Sequence, residues 1–326
     1  MSELPLVSIV TPSYNQAQFL EETILSVLNQ DYPNIEYLII DGASTDGSVE
    51  IIRRYQDRLA YWVSEQDRGQ SHAINKGLQH ARGEVLAWLN SDDVYCPGAV
   101  RTVVGFFAAH EDVALLYGRA DVIDSAGASV LSIPCEDFHA PTCIARHRYP
   151  IPQPAAFFRR EAVQKVGLID EQWNYCMDWD YWIRIGLAGL GVSKVPQTLA
   201  RYRMHGGSKT VKELVRLREE MVAWVDTFFS QPLPAKISAL ERESRSSALL
   251  NLGRQHFYAN EYSCARRTLI EGVMEYPRNL LKDRAFLLLA TSMLPKPAIA
   301  LVWRLKRLFF GIPPALEAWD RAARIT

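Results

Sequence analysis

Glu84-Val85-Leu86-Ala87-Trp88-Leu89-Asn90-Ser91-Asp92-Asp93 is the stretch on which the fold turns. Its first six residues are short and mostly apolar, a pattern that predicts a buried strand of a parallel sheet. The run stops at Asn90 and Ser91 and ends in two adjacent carboxylates. In open α/β sheets, ligands bind just beyond the carboxyl ends of the strands. Two carboxylates placed there repel each other unless a cation neutralises them. Hard divalent cations such as Mg²⁺ or Mn²⁺ take such oxygen ligands and share them with substrate phosphates. A second reading stays open at this point: Asp92 or Asp93 caps a helix starting near Pro97.

Toward the N-terminus the same grammar repeats. Leu6 to Val10 predicts a first strand and Thr11-Pro12-Ser13-Tyr14-Asn15 a turn. Residues 17–29 predict a helix with Phe19, Leu20, Ile24, Val27 and Leu28 on one face. Ile35 to Ile40 predicts the second strand, ending at Asp41-Gly42, and Ser44, Thr45 and Asp46 offer caps for a helix through Tyr55. Tyr61-Trp62-Val63 is a short third strand, and Asp67-Arg68-Gly69-Gln70 leads into a helix to about His80. Such alternation implies an α/β fold with a doubly wound, mainly parallel sheet. Right-handed crossovers bring the polar strand ends to one edge, which favours the ligand-site reading of Asp92 and Asp93. Asp41 has the alternative of a turn acid paired with Gly42. Tyr14 has two readings, ordinary packing or stacking on a base, as aromatic side chains do.

Rival phosphate-binding devices are missing. There is no Gly-x-x-x-x-Gly-Lys-Ser/Thr loop, because Gly206-Gly207-Ser208-Lys209-Thr210 lacks a glycine directly before the lysine. The Gly-x-Gly-x-x-Gly fingerprint is absent too.

Further along, a helix near 97–110 and a strand near 113–117 continue the sheet, and Pro134 to Pro154 reads as a long loop. Met177-Asp178-Trp179-Asp180-Tyr181-Trp182-Ile183-Arg184 has helical period, with Trp179, Trp182 and Ile183 facing inward and Asp178 in the first turn. Asp178 there either caps the helix or serves as a general base beside aromatic walls. His205 follows a strand and has two readings, structural or a metal or phosphate ligand.

Composition bounds the whole. The 326 residues are 48% hydrophobic with a formal net charge of −1, which excludes a generally basic nucleic-acid binder and a disordered chain. Residues 1–210 carry 18 Lys and Arg against 25 Asp and Glu, whereas residues 211–326 carry 18 against 12. The first part is therefore acidic and the second basic. Five cysteines without a spacing pattern suggest free thiols in a reducing compartment. Met1-Ser2-Glu3-Leu4-Pro5 has no basic, then apolar, leader pattern. Both observations lead us to expect a cytoplasmic protein.

Taken together, the motifs resemble the family 2 glycosyltransferases with the GT-A fold. The pieces are Val7 to Asn15, Asp41 to Ser48, Asp67-Arg68-Gly69-Gln70 with Asn75-Lys76-Gly77, Asn90 to Asp93, Asp178-Trp179-Asp180, and His205 with Ser208-Lys209. The resemblance runs from about Val7 to Thr210, so it implies a GT-A domain over 1–210 followed by a helical appendage over 211–326. It implies an inverting transferase, Mn²⁺ or Mg²⁺, a nucleotide-sugar donor (a UDP-sugar foremost), and a glycan or lipid-linked acceptor in cell-surface polysaccharide biosynthesis. By match, donor binding falls to Thr11, Pro12, Ser13, Tyr14, Asn15, Asp41, Arg68, Gly69, Gln70, Asn75, Asn90, Ser91 and Asp92. The metal falls to Asp92, Asp93 and His205, and the base to Asp178. Two residues depart from the pattern. Asn90 stands where many relatives have Asp, and Met177 where Glu often precedes the base.

Two rival functions are weaker. A sugar-phosphate nucleotidyltransferase usually needs a basic Gly-rich entry loop, and the Thr11–Asn15 turn is not one. A non-catalytic helical-repeat scaffold with a degenerate transferase domain has no use for an intact Asp92, Asp93 and Asp178. In the C-terminal third, Leu252-Gly253, Ala265, Leu269 and Pro277 fit either a helical hairpin or one tetratricopeptide-like pair. No acid occurs between Asp283 and Glu317. Within that span Leu301 to Phe310 suits either an interfacial helix on the inner face of an anionic membrane or a core helix with snorkelling basic residues.

Overall fold

Val7–Ser13 (β1) is buried along all seven residues, because it lies inside a sheet with a neighbour on each side. It pairs in parallel with Ile35–Asp41 (β2) and with Val85–Trp88 (β4). β2 in turn pairs in parallel with Tyr61–Ser64 (β3), the half-buried outer strand. The structure, a computed structural model, describes residues 4–279 and 285–294. The later strands are Val94–Tyr95 (β5), Val113–Ile123 (β6), Ser129–Ile133 (β7), Ala156–Arg159 (β8) and Gly191–Arg203 (β9). The sheet runs β3-β2-β1-β4-β8-β6-β9-β5, with β7 paired to β6.

The parallel half matches the sequence reading of alternating strands and helices. The other half is mixed. β8 lies antiparallel to both β4 and β6, β6 runs parallel to β9, and β5 is antiparallel to β9. The α/β architecture therefore combines a doubly wound parallel part with an antiparallel graft.

Helices Ala17–Leu28 (α1), Ser48–Tyr55 (α2), Gln70–His80 (α3) and Ala99–Ala109 (α4) follow strands of this sheet. α1 buries Phe19, Leu20, Ile24 and Val27, the face expected from its period. α3 lies hard against β1, where a Cβ on Gly77 would come within 2.2 Å of Val10 Cγ1. Register fixes the site. Ser13 pairs with Asp41 and Asp41 with Ser64, so three parallel strands end level at one edge.

The stretch expected as one long loop, 134–154, contains a helix, Ala140–Arg146 (α5), that buries Cys143, Ile144 and Ala145. Its seven residues, which include Pro141 and Arg146, are too few to carry a visible period. Arg160–Val166 (α6) and Met177–Leu187 (α7) complete the elements around the sheet.

The chain divides into two compact units. The first holds residues 1–138 and 149–204, the second 139–148 and 205–326. Within the second, α5 packs on Glu241–Tyr258 (α11), and the described helices also include Lys209–Lys212 (α8), Leu214–Phe229 (α9), Ala235–Ser238 (α10), Tyr262–Glu275 (α12) and Ala285–Ser292 (α13). α11 and α12 form the hairpin expected from the sequence, closed so tightly that a Cβ on Gly253 would lie 2.7 Å from Leu269 Cγ. The Leu301–Phe310 stretch lies outside the described residues. Among those described, no helix is long and apolar enough to cross a membrane.

Candidate active site

Neither Asp92 nor Asp93 caps the following helix. α4 begins at Ala99 behind Gly98, without a side-chain cap, and β5 intervenes. Asp93 is instead fully buried. One carboxylate oxygen accepts the Arg203 backbone N–H at 2.9 Å and the other the Asn90 side-chain amide at 3.2 Å. Its carbonyl accepts Thr23 Oγ1–H at 2.7 Å. Burial, and then the neighbouring Asp92 charge, push the Asp93 carboxyl well above the usual carboxylate range. Like charges crowded into a dry place are an arrangement that a divalent cation relieves.

Asn90 explains its own departure from the family pattern. Its amide nitrogen donates to Asp93 and to Gln153 Oε1 at 2.9 Å, while its oxygen accepts from Gln70 at 2.7 Å. An ionised Asp has no proton for the first two bonds and adds a third negative charge. Gln153 also donates to the Trp88 carbonyl at 2.9 Å, tying the acid turn to the 149–155 segment. Ser91 is buried beside them.

The β1 and β2 strand ends form a second cluster. Asp41, fully buried, accepts from Ser44 N–H (2.9 Å), Ser44 Oγ (2.6 Å) and Ser64 Oγ (2.7 Å). It thus acts as a turn acid, in line with one of its two readings. Asn15 N–H donates to Ser44 Oγ at 2.8 Å, and Asn15 Oδ1 accepts Thr45 N–H at 2.9 Å. Asn15 and Ala43 both hold positive φ, +51° and +62°, the left-handed backbone that a short cross-braced loop needs. Thr11 and Pro12 lie buried in β1, with Thr11 bonded to Tyr37 at 3.0 Å. Tyr14 stands 64% exposed at the rim, which excludes ordinary core packing. Ser13 Oγ is buried with no hydrogen-bond partner among the described residues. Gly42 fits under Asp67 and Tyr14, since a Cβ there would lie 2.7 Å from Asp67 Oδ2. A cavity of about 580 Å³ between α2 and β3 includes Ser44, Thr45, Arg53, Trp62 and Ser64 among its walls, but none of Asp92, Asp93 or Asp178.

Arg68 and Gly69 lead into α3, which Gln70 opens and Asn75 occupies mid-way. Gly69 takes φ +120° and donates to Asp67 at 2.8 Å. Arg68 pairs with Glu171 at 2.7 Å. Asn75 is buried and clasps the Ile169 backbone from both sides, at 2.8 and 3.0 Å.

Asp178 sits in the first turn of α7. It accepts its neighbour Trp179 N–H at 2.7 Å, so it does serve the helix end. Burial nonetheless outweighs the backbone N–H groups and pushes its carboxyl up to about 6. Asp180 points away, into an ion pair with Arg184 at 2.8 Å. Met177 is buried and accepts Ser71 Oγ–H. Trp182 stacks on Trp88 with ring centroids 5.2 Å apart, which clamps α7 to the strand that leads into Asp92 and Asp93. His205 belongs to the second unit, where its Nδ1 accepts Gly207 N–H at 3.1 Å. Among the described residues, no three His, Cys, Asp or Glu side chains gather into a group suited to a metal.

A family model described as glycosyl transferase family 2 matches residues 8–167, which includes both strand-end clusters. The chain carries a family 2 glycosyltransferase domain. An uncharacterised glycosyltransferase of Rickettsia typhi is 28% identical over 235 residues, 68% of this chain and 70% of its own. A putative teichuronic acid biosynthesis glycosyltransferase of Bacillus subtilis is 42% identical over 92 residues, 27% of this chain and 36% of its own. Among solved structures, a Pyrobaculum calidifontis mannosyltransferase in complex with GDP-Man and Mn²⁺ superposes with TM-score 0.62 at 19% identity, over 99% of this chain and 86% of that one. This last likeness establishes the GT-A-like fold. Asp92, Asp93 and Asp178 are candidates from the sequence, whereas Gln153 and Arg203, which the structure ties to the acid turn, are not among them. Gln153 is hidden in a Pro-rich stretch, and Arg203 looks like any strand-end cation until its partners are seen.

Proposed function

We propose that this glycosyltransferase is an inverting, divalent-metal-dependent enzyme. In this reading it moves a sugar from a nucleoside diphosphate to a hydroxyl of a glycan or lipid-linked acceptor during cell-surface polysaccharide synthesis. The observation that carries the reading is the Asp92–Asp93 pair beyond the end of β4, Asp92 half-buried and Asp93 fully buried with its carboxyl held well above its usual range. Asp92 and Asp93 offer hard oxygen donors, which suit Mn²⁺ or Mg²⁺ held with substrate phosphates, and His205 is the third candidate ligand. When bound, such an ion supplies Lewis acidity to the departing diphosphate.

The residues then divide the work. Asp178 takes the acceptor hydroxyl proton while that oxygen attacks the anomeric carbon. The bond from that carbon to the diphosphate oxygen breaks, and one displacement inverts the centre. The rim formed by Tyr14, Asn15 and Ser13 receives the nucleoside, with the Asp41–Ser44–Ser64 knot holding the rim in shape. The teichuronic acid relative supports a surface polymer as product. The mannosyltransferase with GDP-Man supports a nucleotide-sugar donor and is the reason to screen guanine beside uracil.

The test is a panel of UDP- and GDP-sugars, scored by release of free nucleoside diphosphate with and without Mn²⁺ or Mg²⁺. One donor should turn over only with metal, and Asp93→Ala should abolish both turnover and metal-dependent binding. Metal-independent turnover, or an Asp93→Ala protein with parent metal response, would overturn the assignment.

A further inference from the structure

We propose that Arg203 is the positioning residue of the acid pair, holding the Asp92 backbone and so the Asp92 carboxylate in place for a cation. This rests on the metal reading above. Arg203 is 1% exposed, an unusual place for a guanidinium, and its donors are spread over three parts of the first unit. Nε donates to the Asp92 carbonyl at 2.9 Å. One terminal nitrogen donates to the Asp124 carbonyl at 3.1 Å, and the other pairs with Glu22 of α1. The guanidinium lies over the Phe19 ring, 4.9 Å from its centroid. Its own backbone N–H meets the Asp93 carboxylate.

The consequence is geometric. The Asp92 carbonyl is held by Arg203 and the Asp93 carbonyl by Thr23, so both peptide groups at the pair are fixed from outside the turn. Every one of these partners is protein. Arg203 therefore acts through Asp92 and Asp93 and does not touch the reacting atoms in this role. Only a forked, planar cation reaches Asp92, Asp124 and Glu22 at once; a lysine ammonium keeps the charge and loses the fork.

The experiment measures Mn²⁺ affinity by calorimetry in the presence of UDP or GDP, together with melting temperature, for the parent, Arg203→Lys and Glu22→Gln. Arg203→Lys should weaken Mn²⁺ binding by about 10–100-fold, the usual effect of losing a group that orients a metal ligand. Glu22→Gln loosens only the half-exposed end of the fork, so it should fold as the parent does and lose affinity in the same direction by less. It keeps the proposal testable if the lysine variant fails to fold. Parent-like Mn²⁺ affinity in both variants, whatever their melting temperatures, would overturn the role of Arg203. A parent whose nucleotide binding ignores Mn²⁺ would overturn the metal reading itself, and this inference with it.

Discussion

Asp178 is the residue whose environment makes the sharpest demands. Its carboxyl is raised to about 6, chiefly by burial. In its proposed role as base, Asp178 must be ionised to accept a proton, so turnover should climb as pH rises through about 6 and level off above it. Stability has the opposite sign. The folded state holds this proton more tightly than the unfolded chain does, so stability falls between the unfolded value near 3.8 and the folded value near 6. Asp178→Asn has no charge to bury. It should melt higher than the parent at pH 7.5, with the gain closing by about pH 4, while transfer falls by about 10²–10⁴-fold and donor affinity stays. Asp180→Asn should do the reverse, costing about 1–3 kcal/mol through its Arg184 partner and sparing turnover per folded molecule. Equal turnover of parent and Asp178→Asn would move the base elsewhere.

At the scale of elements, the α3–β1 contact sets the site edge. Gly77 has no room for a side chain, because Val10 would meet its Cβ at 2.2 Å. Gly77→Ala gains up to about 1 kcal/mol of helix propensity. Overpacking costs about 1–3 kcal/mol, so the variant should melt lower; a higher melting temperature would mean that α3 shifts freely. The same scale explains what could be read in advance. β1, β2 and β4 are short, mostly apolar runs followed by polar residues, and those ends pointed to Asp41, Asp92 and Asp93 as candidates. Of β9 only a strand ahead of His205 was legible, without its bounds, because its 13 residues are mostly half-buried and include Pro196. β7 is half-exposed, and α5 is only two turns long. Asp178 was legible from its place in a periodic helix. The use of Asn75 to clasp Ile169 was not, since a buried amide and a ligand-binding amide look alike in sequence.

For the whole molecule, the notable fact is that the second unit takes residues 139–148 out of the middle of the first. α5 is held there by Ser244 Oγ on the Ile144 carbonyl at 2.9 Å, Ser247 Oγ on the Ala145 carbonyl at 2.8 Å, and buried His147 against Ser244. These bonds join positions about a hundred residues apart. During synthesis, α5 therefore leaves the ribosome long before α11 exists to cover it. An N-terminal fragment cannot simply be cut at 204, because the nascent α5 keeps its greasy side in water. A 1–204 fragment should aggregate or bind chaperones, whereas the same fragment with 139–148 replaced by a Gly/Ser linker should stay monodisperse in size-exclusion chromatography. If both fragments behave alike, α5 does not need its later partner, and the two units are separable by a single cut.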